Sequence, residues 1–302
     1  MLAPERTVNY RTGCFSGRVS PDLPSCLAGL LEDPEQAQKI PGARCVLNGE
    51  LRTIWEVPTK SDTAYFVHLF RDQRRRVVPR ILKTQRRMQA LGVPTIEIVA
   101  LGHETSGVRS REFFIARKIG NSVSLPAGLG HSYEIVPEAR EVSERLVESL
   151  AQFISDLHRK RFIHGDLKSR HILIQNPPHG REDGDKNADG RSATPSRHSR
   201  FSDSRTEDLK FYLVDLEKAR SFRFLPETLV DLLRVRDLIQ LSASCSQLIT
   251  NKQKARFLRN YLRRLAVPSA RRRIFYYVVR LYSEHDFRQG RTLLENVFAA
   301  LR

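Results

Sequence analysis

Residues 162–174 read FIHGDLKSRHILI, and residues 211–218 read FYLVDLEK. In each stretch apolar residues border a short charged segment, which is typical of a buried strand that ends at a polar turn. Asp166 and Lys168 lie in the first turn, and Asp215 directly follows the second apolar run. Two carboxylates and an ammonium group at the ends of buried segments predict a chemical site rather than a structural loop.

The segments before residue 120 predict a small sheet that carries one helix. Residues 77–91 space their apolar side chains as a helix does, with Gly92 at the C-cap position and Pro94 blocking continuation. Residues 1–42 read as irregular, because prolines interrupt them. Apolar patterning between turn residues predicts four strands, at Glu50–Val57, Ala64–Phe70, Glu97–Leu101 and Glu112–Ile119.

Beyond residue 120 the pattern becomes helical. A long amphipathic helix is predicted over residues 137–160, and residues 227–302 read as helical throughout. Residues 176–210 are rich in Gly, Pro, Ser and charge and lack apolar side chains to bury. This composition predicts a disordered insertion between two strands.

The net charge of +17 is concentrated in two segments. Residues 71–92 carry 8 basic residues and one acidic residue, and residues 252–302 carry 13 basic and 3 acidic residues. A field of this strength favours anionic partners such as phosphates, nucleic acid or an anionic membrane surface. The four cysteines form no zinc motif, and the first ten residues lack the apolar core of a signal peptide, so we expect a cytoplasmic protein.

The two charged stretches resemble the catalytic loop HRDLKxxN of protein kinases and the metal-binding DFG that ends the following strand. Phosphoryl transfer requires a carboxylate near the acceptor hydroxyl and metal ions that neutralise the triphosphate. By this resemblance Asp166 would orient and deprotonate the hydroxyl, and Lys168 would screen the transferring phosphoryl group. Asp215 would hold Mg²⁺, a hard cation that prefers oxygen ligands.

His171 stands where most kinases place a metal-binding Asn, and residues 215–217 read DLE in place of DFG. This combination resembles the lipopolysaccharide kinase (Kdo/WaaP) family. The resemblance covers about residues 45–265 without the insertion, and its further stretches are TIWEV at 53–57, RMQALGVPT at 87–95, RDL at 236–238 and ARFLRNYL at 255–262.

The resemblance implies a two-lobed, protein-kinase-like α+β fold. Its parts would be an N-terminal extension over residues 1–42, a sheet-plus-helix N-lobe over 43–120 and a mainly helical C-lobe over 121–302. It also implies ATP and Mg²⁺ as cofactors, with His171 and Asp215 as metal ligands. Family members phosphorylate sugars of the lipopolysaccharide inner core, so the implied acceptor is an anionic glycolipid or sugar. The implied location is peripheral, on the inner face of the cytoplasmic membrane.

The nucleotide-binding half of the sequence departs from the family. A Lys on the third strand of kinases contacts the phosphates and pairs with a Glu on the following helix. Here His68 occupies the lysine position, the helix contains no Glu, and Asn48-Gly49 makes a poor glycine-rich loop. Two roles are open for His68: it donates a hydrogen bond to phosphate, or it packs in its strand without a ligand.

Three functions are open from the sequence. The first is an ATP-dependent kinase of a lipopolysaccharide-core-like sugar, which Asp166, Lys168 and Asp215 favour. The second is a pseudokinase that binds or scaffolds without turnover, which the joint loss of the lysine and the glutamate favours, because a lone buried charge is costly. The third is a nucleic-acid-binding protein, which the charge alone suggests and no motif supports.

Overall fold

The computed structural model describes residues 7–60, 63–71, 77–104, 111–130, 137–175, 209–269, 271–272 and 275. For residues 130 and 137–143 the description is limited to the backbone. The chain divides into two compact units, Met1–Gly120 and Asn121–Arg302, which we call the sheet unit and the helical unit. Within the described ranges, no helix combines the length and the apolar character needed to cross a membrane.

The sheet unit is built on seven antiparallel strands in the order β1-β2-β6-β7-β5-β4-β3. The four predicted strands are confirmed as β4 to β7. Strand β3 was not predicted, because all five of its residues are exposed and it therefore has no alternating apolar face. The bounds are β1 Val8–Thr12, β2 Phe15–Val19, β3 Arg44–Asn48, β4 Arg52–Pro58, β5 Ala64–Phe70, β6 Glu97–Glu104 and β7 Glu112–Arg117.

The prediction that residues 1–42 are irregular is wrong for most of that segment. Strands β1 and β2 form a hairpin, and β2 extends the sheet by pairing with β6. Gly17 permits this pairing, because a Cβ there would lie 2.0 Å from the carbonyl oxygen of Leu101. The prolines separate short ordered elements, including two 3-10 helices at Ser25–Leu31 and Pro34–Lys39.

The two faces of the sheet are different. On one face Trp55, Tyr65 and Val67 join an apolar cluster with Leu27 and Leu30 of the first 3-10 helix. Side chains at the alternate positions of β4 and β5, including His68, lie on the opposite face. The N-terminal segment therefore covers one face and leaves the face of His68 to other contacts.

Helix α1 spans Val78–Ala90 and confirms the predicted helix. It ends where Gly92 adopts a φ of +64°, a left-handed conformation that favours glycine. No side chain of its own segment caps its first turn. Instead the buried carboxylate of Glu112 in β7 accepts hydrogen bonds from the backbone N–H groups of Val77 and Val78, at 2.7 and 3.0 Å.

The described part of the helical unit contains five short strands and four α-helices. A three-stranded sheet has the order β11-β10-β8, and β12 pairs with β9. The bounds are β8 Ser122–Ser124, α2 Leu125–Gly130, α3 Pro137–Arg159, β9 Phe162–Ile163, β10 Ile172–Gln175, β11 Lys210–Leu213, β12 Arg220–Ser221, α4 Glu227–Ser244 and α5 Asn251–Arg264.

Helix α3 confirms the helix predicted over residues 137–160, and α4 and α5 confirm helical structure over most of residues 227–264. The predicted helix is interrupted at residues 245–250, between α4 and α5. Thr250 begins α5 with a capping box, in which its hydroxyl accepts from the N–H of Gln253. The disorder predicted for residues 176–210 falls almost entirely outside the described residues, as does the helix predicted beyond residue 275.

The cap on α1 leads to a stability prediction. Glu112→Ala leaves two buried N–H groups without an acceptor, so we expect the free energy of unfolding to fall by about 1–3 kcal/mol. Urea titration measures the change. The matched control is Glu97→Ala, which removes a half-exposed ion pair with Arg117 and should cost less than about 1 kcal/mol. Equal losses in the two variants would show that the cap contributes no more than a surface ion pair.

Candidate active site

The loop between β9 and β10 is shaped by one glycine and one buried carboxylate. Gly165 has a φ of +78°, and a Cβ there would lie 2.7 Å from the carbonyl oxygen of Lys218. The N–H groups of His164 and Gly165 donate to the carboxylate of Asp237 in α4, at 2.7 and 2.9 Å. These contacts set the backbone from which Asp166 projects.

Asp237 is fully buried, and the buried ring of His158 also contacts it. Nε2 of His158 lies 3.4 Å from Asp237, and Nδ1 of His158 lies 2.7 Å from the hydroxyl of Tyr261. Burial lowers the pKa of His158 even though Asp237 works to raise it, and burial raises the pKa of Tyr261. We therefore assign a neutral ring that donates to Asp237 from Nε2 and accepts the Tyr261 hydroxyl proton at Nδ1.

Asp166 is held between two lysines. Its Oδ1 lies 2.9 Å from Nζ of Lys168, and its Oδ2 lies 3.6 Å from Nζ of Lys218. Burial works to raise the pKa of Asp166, but the hydrogen bond from Lys168 and the charge of Lys218 outweigh it and leave the pKa below its usual range. Asp166 is therefore a carboxylate at neutral pH, oriented as an acceptor.

His171 is buried, and its tautomer follows from its contacts. Nδ1 lies 2.9 Å from the backbone carbonyl oxygen of Asp166, so Nδ1 carries the proton and donates it. Nε2 then carries a lone pair, which accepts from Nε of Arg170 at 3.2 Å. The Nε2 atom also lies 3.4 Å from Oδ2 of Asp215. Burial lowers the pKa of His171 despite opposing contributions from Asp166 and Asp215. A neutral imidazole with a directed lone pair is the form that ligates metals.

Asp215 reaches this histidine because of strand register. Strand β11 pairs with β10 in antiparallel register, with Ile172 opposite Leu213, and the N–H of Val214 donates to the carbonyl of His171 at 3.0 Å. Asp215 then adopts a left-handed conformation, with φ 60° and ψ 58°. Aspartate tolerates this conformation better than most residues.

Four of the five predicted site residues therefore lie together in the helical unit. Asp166, His171 and Asp215 each offer one ligand atom, and these atoms lie within 4.8 Å of one another. Lys168 contacts the first of them. Two carboxylates and one neutral imidazole are a donor set that fits a divalent cation.

His68, the fifth predicted residue, lies in strand β5 of the sheet unit and is partly buried. Its ring stacks on Phe114 with the ring centroids 4.2 Å apart, and its Nδ1 lies 3.0 Å from Nη2 of Arg52. Burial, helped by the charge of Arg52, lowers the pKa of His68 well below its usual value. His68 is therefore a neutral ring, and its contact with phosphate stays a prediction.

Sequence reasoning missed Lys218 and Arg52, which contact predicted residues, and Asp237, which holds the backbone of the loop that carries Asp166. Lys218 belongs to the quoted stretch at residues 211–218, but its approach to Asp166 depends on the fold of the following turn. Asp237 lies in the RDL stretch at 236–238, and the sequence alone gives it no role. Arg52 follows a turn, where a charged residue is ordinarily solvated, so no signal distinguished it.

Comparisons with known proteins bear on the family and the fold of this chain. Residues 52–186 match the model of the Lipopolysaccharide kinase (Kdo/WaaP) family. The lipopolysaccharide core heptose(I) kinase WaaP of Pseudomonas aeruginosa is 26% identical over 181 residues, which make up 59% of this chain and 57% of that relative. A solved structure of WaaP in complex with acyl carrier protein aligns with a TM-score of 0.59 at 22% identity, over 88% of this chain and 97% of that chain.

These matches confirm both the resemblance to the Kdo/WaaP family and the two-lobed, protein-kinase-like α+β fold. The curated relative is matched over little more than half of its own length. At 22% identity the solved structure supports the fold alone.

The buried carboxylate of Asp237 generates a prediction. Asp237→Asn places an amide NH₂ group against a backbone N–H group, so we expect a loss of about 1–3 kcal/mol in the free energy of unfolding. The loop that carries Asp166 should also become more accessible to hydrogen exchange at His164 and Gly165. Asp156→Asn is the control, because Asp156 pairs with Arg159 at the surface and its loss should cost less than about 1 kcal/mol. Unchanged protection at both amides would contradict the role of Asp237.

Proposed function

We propose that this chain, which matches the Kdo/WaaP lipopolysaccharide kinase family over residues 52–186, transfers the γ-phosphoryl group of ATP to a sugar hydroxyl. The acceptor we propose is a sugar of a lipopolysaccharide core or a similar anionic glycolipid, which the name of the curated relative supports. One observation carries the proposal: Asp166, His171 and Asp215 offer ligand atoms within 4.8 Å of one another, beside two lysines. Phosphoryl transfer needs these groups.

Asp166 accepts the hydrogen bond of the acceptor hydroxyl. The hydroxyl oxygen forms a bond to the γ-phosphorus as the bond from that phosphorus to the bridging oxygen of ADP breaks, and the hydroxyl proton passes to Asp166. Because Lys168 and Lys218 lower the pKa of Asp166, the carboxylate is a weak base and acts chiefly by orienting the hydroxyl. The same two ammonium groups offset the negative charge of the transferring phosphoryl group.

A divalent cation such as Mg²⁺ neutralises the triphosphate in this chemistry, and His171 and Asp215 would hold it. Asp215 offers the oxygen ligand that Mg²⁺ prefers. The hydrogen bond from Nδ1 of His171 to the carbonyl of Asp166 fixes the ring and leaves Nε2 directed toward Asp215. The ring of His171 is therefore oriented before any ion binds, and an ion at Nε2 would replace the hydrogen bond from Arg170.

A pseudokinase is the second candidate, and the helix after β5 favours it. Residues Ile81 and Gln85 of α1 are buried, and Nε2 of Gln85 donates to the carbonyl oxygen of Ile96 at 3.0 Å. No acidic side chain occurs in α1, so none of its residues can orient a phosphate-binding lysine. A chain that binds nucleotide without turnover would share this feature.

Nucleotide binding and phosphoryl transfer test the proposal directly. We expect ATP with Mg²⁺ to raise the melting temperature, because a ligand at a hundred times its Kd contributes about 2.7 kcal/mol. Asp215→Asn should remove the Mg²⁺-dependent part of that rise. Asp166→Asn should keep it but lower phosphate transfer from labelled ATP to inner-core oligosaccharide by about 10²–10⁴-fold.

Asp156→Asn, at a partly exposed position of the same unit, is the control and should match the wild type in both assays. A wild-type protein that ATP stabilises but that transfers no phosphate to any core sugar would support the pseudokinase instead. The absence of any ATP-dependent rise would overturn the kinase and would leave only a pseudokinase that scaffolds without binding nucleotide.

Exposed basic residues support the proposal of an anionic, membrane-borne acceptor. Helix α5 exposes Lys252, Arg259, Arg263 and Arg264 to solvent. Each Lys or Arg near the surface of an anionic membrane contributes about 1 kcal/mol to the free energy of binding. We therefore propose peripheral contact between α5 and an anionic membrane.

Vesicle binding tests this contact. Arg259→Glu with Arg263→Glu should weaken binding to phosphatidylglycerol-containing vesicles, and raising the salt from about 0.1 M to 1 M should abolish binding by the wild type. The control pair, Arg18→Glu with Lys39→Glu, changes the net charge equally at exposed positions of the sheet unit. Equal loss in both double variants would show that net charge matters and α5 does not.

A further inference from the structure

A stripe of polar side chains lies along one face of α4. Asp237, Gln240 and Ser244 occupy positions i, i+3 and i+7 of this helix, and this spacing places them on the same face. The residues between them include Leu238 and Leu241, which are buried and apolar. A polar side chain beside a buried apolar core requires a hydrogen-bond partner. The stripe therefore raises the question of what it binds.

The partners of the stripe are backbone N–H groups in the loop after β9. Besides the two bonds that Asp237 accepts, Oε1 of Gln240 accepts from the N–H of Leu167 at 3.0 Å. The hydroxyl oxygen of Ser244 accepts from the N–H of Ser169 at 2.8 Å. One helix face thus holds the loop backbone at several successive points.

Ser169 and Ser244 form a reciprocal pair. The hydroxyl of Ser169 donates to the backbone carbonyl oxygen of Ser244 at 3.1 Å, while the N–H of Ser169 donates to the hydroxyl of Ser244. Ser244 is the last residue of α4, where helices leave their final carbonyl groups without a partner inside the helix. The Ser244 hydroxyl proton is directed to the carbonyl oxygen of Leu241 at 2.9 Å. Each hydroxyl therefore has a defined role, and the loop is fixed against the end of the helix.

These contacts fix the backbone that carries Lys168. Leu167 and Ser169 are its neighbours in the chain, and both donate to α4. Lys168 itself is extended, with a φ of −110° and a ψ of 153°, and its Nζ lies 2.9 Å from Oδ1 of Asp166. A lysine places its charge at the end of a flexible four-carbon stem, so a fixed backbone restricts where that charge can lie.

We propose that Gln240 and Ser244 are positioning residues for the phosphoryl transfer and that they act through Lys168. By holding the backbone on either side of that lysine, they keep its ammonium group on the carboxylate of Asp166. Asp237 anchors the residues that precede Asp166, and the other two anchor those that follow it. The inference rests on the proposed function, since it assigns Lys168 a part in the transfer.

Amide hydrogen exchange in the full chain tests the two anchors independently of activity. Gln240→Met keeps the length of the side chain but removes the acceptor, so exchange at Leu167 should become about three- to tenfold faster. Ser244→Ala should have the same effect at Ser169. Gln240→Glu and Ser244→Thr keep an acceptor and should exchange as the wild type does. Unchanged exchange in Gln240→Met and Ser244→Ala would overturn the inference.

Transfer of phosphate from labelled ATP to inner-core oligosaccharide tests the positioning role. Gln240→Met and Ser244→Ala should each lower kcat about tenfold and leave KM for ATP within about twofold, because the ammonium group that they position acts on the transferring phosphoryl group. Ser244→Thr, which keeps the hydroxyl and the net charge, should regain most of kcat. Ser244→Ala removes a single oxygen atom and serves if Gln240→Met fails to fold.

A double-mutant cycle identifies the residue through which the anchors act. In a Lys168→Met background, a further Gln240→Met or Ser244→Ala should have little additional effect on the residual kcat, because the group that they position is already absent. Losses that multiply in full would show that neither residue acts through Lys168 and would overturn the inference.

Ser155→Ala is the matched control for a loss of stability. Ser155 is a buried serine of α3 whose hydroxyl donates to the carbonyl oxygen of Gln152, three residues earlier, as the hydroxyl of Ser244 does to Leu241. Ser155→Ala should lower the melting temperature about as much as Ser244→Ala does and should keep the wild-type kcat. A matching fall of kcat in the control would show that activity follows stability, and it would overturn the positioning role.

The outcomes separate this inference from the proposed function. A wild-type chain that transfers no phosphate to any core sugar overturns both. A wild-type chain that transfers phosphate, with kcat unchanged in Gln240→Met and Ser244→Ala, overturns the inference alone.

Discussion

The candidate active site depends on the two hydrogen bonds that the loop after β9 donates to the carboxylate of Asp237. A carboxylate placed in a fully buried position is costly unless its oxygens are satisfied, and here two backbone N–H groups and His158 satisfy them. The same bonds fix the backbone of His164 and Gly165. Asp166, whose backbone carbonyl orients His171, directly follows Gly165 in the chain. The buried carboxylate of Asp237 therefore fixes the positions of Asp166 and His171.

Much of the helical unit could be predicted from sequence, because the patterns that identify its strands, helices and site residues lie within short segments of the chain. The spacing within residues 162–174 places Asp166 five residues before His171, and the strand before Asp215 is an apolar run with a clear end. Local spacing also carries the resemblance to the Kdo/WaaP family, which the matches confirm. Lys218 and Asp237 could not be assigned in this way, since their contacts depend on how distant segments fold against the loop.

The sheet unit was harder to predict, for two physical reasons. Strands β1 and β3 are largely exposed, so they lack the apolar alternation that reveals a strand. The contacts of a charged residue such as Arg52 are also invisible in a sequence, because the same residue after a turn is ordinarily solvated. Only the register of β4 and β5 brings it beside His68.

The antiparallel pairing of β10 and β11 has a consequence for how such a chain can vary. Gln175 and Lys210 are opposite each other in this ladder, and His171 and Asp215 lie beyond its other end. The pairing of β10 and β11 therefore sets the distance between His171 and Asp215, whatever the number of residues that join the two strands. Loop-closure entropy grows only with the logarithm of length, at about 0.6 kcal/mol for each doubling. Residues 176–209 can therefore be lengthened, shortened or replaced at small thermodynamic cost, while the distance between His171 and Asp215 stays the same. This junction is a suitable place to insert a new recognition segment into the fold.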